Sequence, residues 1–119
     1  MKDYTRYLFN CGIPGDSATS AKNRIYETCL IHAPDYVTVM FGMNDIGMHL
    51  YLDDISKHIR EERIKTYTQS IEKIINTITA CGAIPILFTT TPYDEESNVS
   101  TKNLKCNAGI DKCANLKGF

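Results

Sequence analysis

Two short turns carry the residues whose types and spacing could support catalysis. The first lies in residues 10–19, which read Asn-Cys-Gly-Ile-Pro-Gly-Asp-Ser-Ala-Thr and contain Gly15. The second ends an apolar run and reads Phe-Gly-Met-Asn-Asp at residues 41–45, with Asn44 as its side-chain amide. If both turns lie at one edge of a parallel sheet, the Gly15 N–H and the Asn44 amide can bind the oxyanion of an acyl-transfer reaction.

Each of these two residues also has a simpler interpretation. Gly15 follows Pro14, and a glycine there can adopt a positive φ in a tight turn without contacting any ligand. Asn44 can be an ordinary turn asparagine, although its amide has two N–H donors and follows a strand end, where open α/β sheets bind ligands.

The elements that would position these turns alternate between strand and helix, which predicts an α/β fold with a parallel sheet. The first helix has Asp16 or Ser17 as its cap and runs to about residue 30, and the apolar run 36–41 is typical of a strand covered on both faces. A long helix ends at about residue 80, and Gly82 follows as its C-terminal cap. Strands are also predicted at 7–11 and 83–89, and a last helix at 102–115.

Taken together, the motifs resemble the SGNH/GDSL hydrolase family of esterases and lipases. The Gly15 turn matches the second motif block of that family, and residues 42–45 match its Gly-x-Asn-Asp third block. Residues 84–93 look like the strand and loop that follow, so the resemblance covers nearly the whole chain. It implies a flavodoxin-like three-layer sandwich, an oxyanion hole formed by Gly15 and Asn44, and an Asp45 that orients its neighbours through backbone hydrogen bonds.

Two motif blocks of the family have no match in the chain. No strand leads into a Gly-Asp-Ser nucleophile, and no Asp-x-x-His follows late in the sequence. In the family the nucleophile strand is central, so here strands 7–11 and 36–41 would flank an empty slot. We therefore expect residues 1–119 to form a single, incomplete domain, unless the sheet re-pairs or another chain fills the slot.

Residues 15–17 spell Gly-Asp-Ser, but they lie inside the second block, where Ser17 is better interpreted as a helix cap. None of the three histidines has the Asp three positions earlier that the family requires. His32 is interpreted as a helix-end residue, whereas His49 and His58 lie in the segment after Asn44 that could border the substrate in an intact enzyme.

Tyr93 follows Pro92 at the predicted rim of the sheet and is the best candidate for a substrate contact. Tyr51 is a further candidate, and Tyr67 lies on the apolar stripe of the long helix and is predicted to be in the core. The five cysteines form no Cys-x-x-Cys pair and are interpreted as structural thiols, so that no metal or other cofactor is predicted.

The composition is that of an ordinary globular domain, with 43% hydrophobic and 23% charged residues among 119. A net charge of -1 without a basic stripe argues against nucleic-acid binding. No apolar run is long enough to cross a bilayer, and no signal-peptide core follows the charged start. The chain is expected to be cytoplasmic, unless an N-terminal segment with a signal peptide precedes it.

Three functions follow from this sequence as hypotheses. The first is an ester hydrolase that uses a serine nucleophile on a lipid, a small ester or an acetylated sugar, with only the oxyanion-hole half of the site in this chain. The second is a catalytically inactive module that binds an ester or carbohydrate. The third is an assembly protein whose open sheet accepts a strand or promotes self-association.

Overall fold

The computed structural model of the chain describes residues 5–46 and 57–90. Its elements, in chain order, are α1 (Ala18–Thr28), a short 3-10 turn (Leu30–His32), β1 (Tyr36–Val39), α2 (Met43–Ile46), α3 (Lys57–Ala80) and β2 (Ile84–Leu87). Strands β1 and β2 are parallel neighbours, with Tyr36 opposite Ile84 and Val39 opposite Leu87. The predicted α/β fold with a parallel sheet is confirmed.

Helix α1 begins where the sequence predicts, because Ser17 caps it. The Ser17 hydroxyl oxygen accepts a hydrogen bond of 3.2 Å from the backbone N–H of Ser20, which satisfies one of the free amides of the first turn. Ala18, Ala21 and Ile25 recur at three- and four-residue spacing and are buried. The helix therefore turns one apolar face toward the core.

The end of helix α3 is closed by a backbone motif that the sequence also predicts. Gly82 has φ +81°, and its N–H donates to the carbonyl of Thr79 at 3.0 Å. The N–H of Ala83 reaches back to the carbonyl of Ile78 at 3.2 Å. These two bonds form a Schellman motif, which needs a residue that tolerates the left-handed conformation.

The core lies between helices α1 and α3 and one face of the sheet. Val37 and Val39 point into it from β1, and the isoleucines of α3 meet them at helical spacing. The buried members of this cluster are Ala18, Ala21, Ile25, Leu30, Val37, Val39, Ile71, Ile74, Ile78 and Ala83. One layer of helices therefore covers the inner face of the sheet.

The opposite face of the sheet is exposed in the part of the chain that the structure describes. We call it the outer sheet face, and it carries apolar side chains that are 40–63% exposed: Tyr36, Met40, Ile84, Ile86 and Phe88. The expectation that the run 36–41 is covered on both faces is thus wrong for the described residues. Side chains alternate along each strand, so that every second one lies on this face. Helices α1 and α3 both pack on the opposite face of the sheet.

The predicted strand at residues 7–11 is also wrong, since these residues adopt no regular secondary structure. Tyr7 and Leu8 are 80% and 97% exposed. A strand exists only where a neighbouring strand pairs with its backbone, and the described sheet contains β1 and β2 alone. Apolar composition by itself therefore does not make this segment a strand.

Residues 47–56 and 91–119 lie outside the described residues. The predictions for His49, Tyr51, Tyr93 and the helix at 102–115 fall there and stay predictions. Within residues 5–46 and 57–90, none of the helices combines the length and apolar character that crossing a bilayer requires.

Candidate active site

The first turn of the site is built by Pro14 and Gly15. The backbone N–H of Asp16 donates to the carbonyl of Ile13 at 3.1 Å, and Gly15 has φ +77°. Proline at the second position and a positive-φ glycine at the third are the requirements of a type II turn. Gly15 is exposed, with open space where a side chain would point.

The second turn leaves β1 at Gly42, where the backbone has φ +138°. A side chain at this buried position would come within 2.8 Å of Thr90 Cγ2 and 3.4 Å of the Tyr67 hydroxyl. Tyr67 also donates a hydrogen bond of 3.1 Å to the carbonyl of Phe41 and packs against the core, as predicted. Only glycine permits this close approach. Helix α2 begins at the next residue, Met43, and Asn44 therefore lies in its first turn.

A hydrogen bond joins the two turns. Nδ2 of Asn44 donates to the carbonyl oxygen of Asp16 at 2.9 Å, across 28 residues of sequence. Asn44 is exposed, and its amide has a second N–H donor. The structure therefore brings the two predicted oxyanion donors, Gly15 and Asn44, to adjacent turns.

Asp45 holds the same two turns together from the buried side. Its side chain accepts hydrogen bonds from the N–H of Ala18 at 2.9 Å and from the N–H and hydroxyl of Thr19 at 3.1 Å and 3.2 Å. Asp45 is 5% exposed, and Thr19 in turn contacts the buried Ser70 hydroxyl at 3.4 Å. The carboxylate thus acts as a second cap for α1, where the helix dipole favours a negative charge.

An ion pair fixes the outer side of the first turn. Nε and Nη2 of Arg24 donate to Oδ2 of Asp16 at 2.9 Å and 2.6 Å, and Nη1 donates to the carbonyl of Cys11 at 3.0 Å. Burial raises the pKa of Asp16, but hydrogen bonds from Arg24 and from the Ser17 N–H outweigh it, so that the pKa lies below its usual 3.8. Asp16 therefore remains charged at neutral pH.

Both turns lie at the rim of an open groove of about 1060 Å³. Gly15, Asp16 and Asn44 line it, together with residues 7–12 and the β1 residues 36–39. Exposed donors beside a groove of this size can meet a small organic ligand.

The described residues contain no serine–histidine pair that could start a nucleophilic attack. The Ser17 hydroxyl is engaged as the cap of α1, as predicted. The His32 ring stacks on the Phe9 ring with a centroid distance of 4.3 Å, and His58 is exposed in the first turn of α3. No hydrogen bond connects Ser17 with either histidine within the described ranges.

The chain matches the model of the GDSL-like lipase/acylhydrolase family over residues 2–118. It belongs to the GDSL-like lipase/acylhydrolase family. A solved structure, BT4096, titled a gut microbial diltiazem-metabolizing enzyme, is similar in fold with a TM-score of 0.74 and 23% sequence identity. The similarity covers 87% of this GDSL-like chain and 24% of that one. None of the curated proteins is similar enough to count as a match.

Two residues that have a clear place in the site of this GDSL-like chain were not predicted from the sequence. Asp16 precedes the Ser17 cap and Arg24 lies within α1, and their opposite charges at the start of one helix could have suggested the ion pair. Thr19 supplies two of the three donors to Asp45, and nothing in its local sequence signals so distant an acceptor.

Proposed function

We propose that this GDSL-like chain contributes the oxyanion hole of an ester hydrolase, formed by the Gly15 N–H and the Asn44 side-chain amide. The observation that carries the proposal is the 2.9 Å hydrogen bond from Asn44 Nδ2 to the Asp16 carbonyl oxygen, which holds the amide next to the Gly15 turn. Family membership supports hydrolase chemistry for the fold.

The proposed chemistry is stabilisation of charge that develops on a carbonyl oxygen. When a serine attacks the carbonyl carbon of an ester, the oxygen gains negative charge, and donors about 3 Å away lower the barrier. The Gly15 N–H and the second N–H of Asn44 are these donors in the proposal. Asp45 acts as a positioning residue, because all three of its short contacts are to donors at the start of α1.

The serine and its base are not assigned to residues of this chain. Ser17 is excluded from the proposal, since its hydroxyl caps α1 and no histidine is hydrogen-bonded to it among the described residues. The proposed substrates are carboxylic esters, namely lipids, small esters or acetylated sugars, with Tyr93 as a substrate contact.

A chimera tests the oxyanion hole. A leading strand that ends in Gly-Asp-Ser and a trailing segment with Asp-x-x-His, both from a related esterase, are fused to the chain, and hydrolysis of a nitrophenyl ester is followed. Asn44→Ala should lower kcat/KM by about 100-fold, the scale for removal of one oxyanion donor. Ser17→Ala is the matched control and should leave the rate unchanged. A folded Asn44→Ala chimera that hydrolyses the ester as well as the unsubstituted chimera would refute the role of Asn44.

A binding module without catalysis is the second candidate, and the engagement of Ser17 as a cap favours it. In this case the unaltered chain binds an ester or acetyl group and leaves nitrophenyl acetate uncleaved. Titration with a non-hydrolysable acetamide should shift the NMR resonances of the Gly15 N–H and the Asn44 side-chain amide together. Unshifted resonances at saturating acetamide, or hydrolysis that depends on Ser17, would exclude the binding module.

A further inference from the structure

Two thiols lie close together behind the first turn, apart from Gly15 and Asn44. Cys11 precedes the turn, and its Sγ donates a hydrogen bond of 3.2 Å to the carbonyl of Thr28, 17 residues later. The next residue, Cys29, is the C-terminal cap residue of α1. Both cysteines are half-buried, both are free thiols, and both line the groove.

The two thiols also interact electrostatically. Burial is the main cause that raises the pKa of Cys29 to about 11, and the charge and hydrogen bonding of Cys11 raise it further, against a smaller opposing effect of Arg24. Cys11 Sγ lies 3.2 Å from the carbonyl oxygen of Thr28, the residue bonded to Cys29, so the two cysteines are neighbours across the gap between the turn segment and α1.

We propose that Cys11 and Cys29 are a redox modification site that closes to an intramolecular disulfide, with a low-molecular-weight disulfide such as oxidised glutathione as the oxidant. The site is independent of the proposed ester chemistry, because no residue of the oxyanion hole takes part in it. Cys11 contacts α1 beside the proposed disulfide. Its Sγ donates to the carbonyl of Thr28, and its own carbonyl accepts from Arg24.

The reaction proceeds by two thiol–disulfide exchanges. The Cys11 thiolate attacks one sulfur of oxidised glutathione, the S–S bond of the oxidant breaks, and a glutathione thiolate leaves. Cys29 then loses its proton to solvent and attacks the Cys11 sulfur of the mixed disulfide, releasing the second glutathione thiolate. The two cysteines are oxidised by two electrons and the oxidant is reduced to two thiols, each of which takes up a proton at neutral pH.

The order of the two steps follows from the environment of Cys29. A thiol whose pKa is about 11 is rarely a thiolate at neutral pH, so that Cys29 is the slower first nucleophile and acts as the resolving thiol.

The disulfide would tie the turn to α1 beside an existing polar link. Arg24 already joins the Cys11 carbonyl to Asp16, whose carbonyl accepts the Asn44 amide. A covalent bond between residues 11 and 29 closes a loop that contains the whole Gly15 turn. Closing this loop restricts the unfolded chain and stabilises the folded turn.

The test uses the full chain with three cysteines removed, Cys81→Ser, Cys106→Ser and Cys113→Ser, so that only Cys11 and Cys29 can react. After incubation with oxidised glutathione, peptide mapping should find the 11–29 disulfide, with two thiols lost and no glutathione retained. The further substitution Cys29→Ser should instead trap glutathione on Cys11. Glutathione on both cysteines at equilibrium, or two thiols that stay free, would overturn the proposal.

The unsubstituted chain gives an independent measurement if the triple variant folds poorly. Its peptide map should contain the same 11–29 linkage, while the exposed Cys81 serves as the internal control and should carry glutathione. Preferential linkage of Cys81 to Cys11 or Cys29 would contradict the assignment. In the oxidised chain, unfolding should occur at a higher temperature than in the reduced chain, and Cys11→Ser should abolish this shift.

Discussion

Replacement of Asp45 by alanine removes the acceptor of three hydrogen bonds at the start of α1. The N–H groups of Ala18 and Thr19 would then lose their partner at a position where Ala18 is 0% exposed. Each buried donor without a partner costs about 1–3 kcal/mol, and loss of a negative charge at a helix N-terminus adds up to about 1 kcal/mol. On this basis we expect Asp45→Ala to lower the free energy of unfolding by about 2–7 kcal/mol.

Ser17→Ala is the matched control, because Ser17 caps the same helix through a single bond to the Ser20 N–H. Its loss should lower the free energy of unfolding by about 1 kcal/mol. Asp45→Asn keeps one acceptor oxygen and places an NH₂ group against a second donor, so its effect should lie between these two. The three variants therefore form a graded series.

Urea unfolding followed by far-UV circular dichroism measures the series, with the denaturant slope checked for constancy so that midpoints report stability. A loss of about 3 kcal/mol also corresponds to a melting temperature lower by at least about 10 °C for a domain of this size. If Asp45→Ala is no more destabilising than Ser17→Ala, the carboxylate does not hold α1 to the second turn, and its positioning role is refuted.

Three further predictions concern the turns and the sheet. Gly42→Ala should lower the free energy of unfolding by about 2–5 kcal/mol, because it adds positive-φ strain and overlap with Thr90. Gly15→Ala is the control: its new methyl group meets open space, so it should lower the free energy of unfolding by only about 1–2 kcal/mol. Equal losses would contradict this prediction. Because the pKa of Asp16 is lowered on folding, its stabilising effect is complete above its usual pKa of 3.8 and is lost as the pH falls through the lowered value. Asp16→Asn should therefore have a smaller free energy of unfolding than the unaltered chain at neutral pH, and urea unfolding should show this difference shrinking as the pH falls below 3.8. Ile86→Lys on the outer sheet face should reduce the binding of a hydrophobic dye and the self-association measured by sedimentation. Gln69→Lys, at an exposed position of α3, should change neither. If the unsubstituted chain is a monomer that binds no dye, the prediction is refuted.

The parts of this protein that the sequence predicts well depend on neighbours within a few residues. The Ser17 cap and the Gly82 Schellman motif are satisfied by groups at most five residues away, and the apolar spacing of α3 follows from its own helical period. The Pro14-Gly15 pair likewise specifies its turn through backbone conformations that these two residue types favour. The motif residues also sufficed to indicate the family.

Tertiary structure decides what depends on distant partners. Residues 7–11 have the composition of a strand, yet they form none, because strand formation requires another strand alongside. The sequence 36–41 could not reveal that both long helices cover the same face of the sheet.

The same distinction applies to the site. Sequence alone marked Gly15, Asn44 and Asp45, but the acceptor of the Asn44 amide lies 28 residues away and the donors to Asp45 lie 26 and 27 residues away. The need for glycine at position 42 arises from Tyr67 and Thr90, which approach it only in the folded chain. Local residue types determine which groups can donate and accept, and only the packing of α1 against the sheet and α3 determines which of them meet.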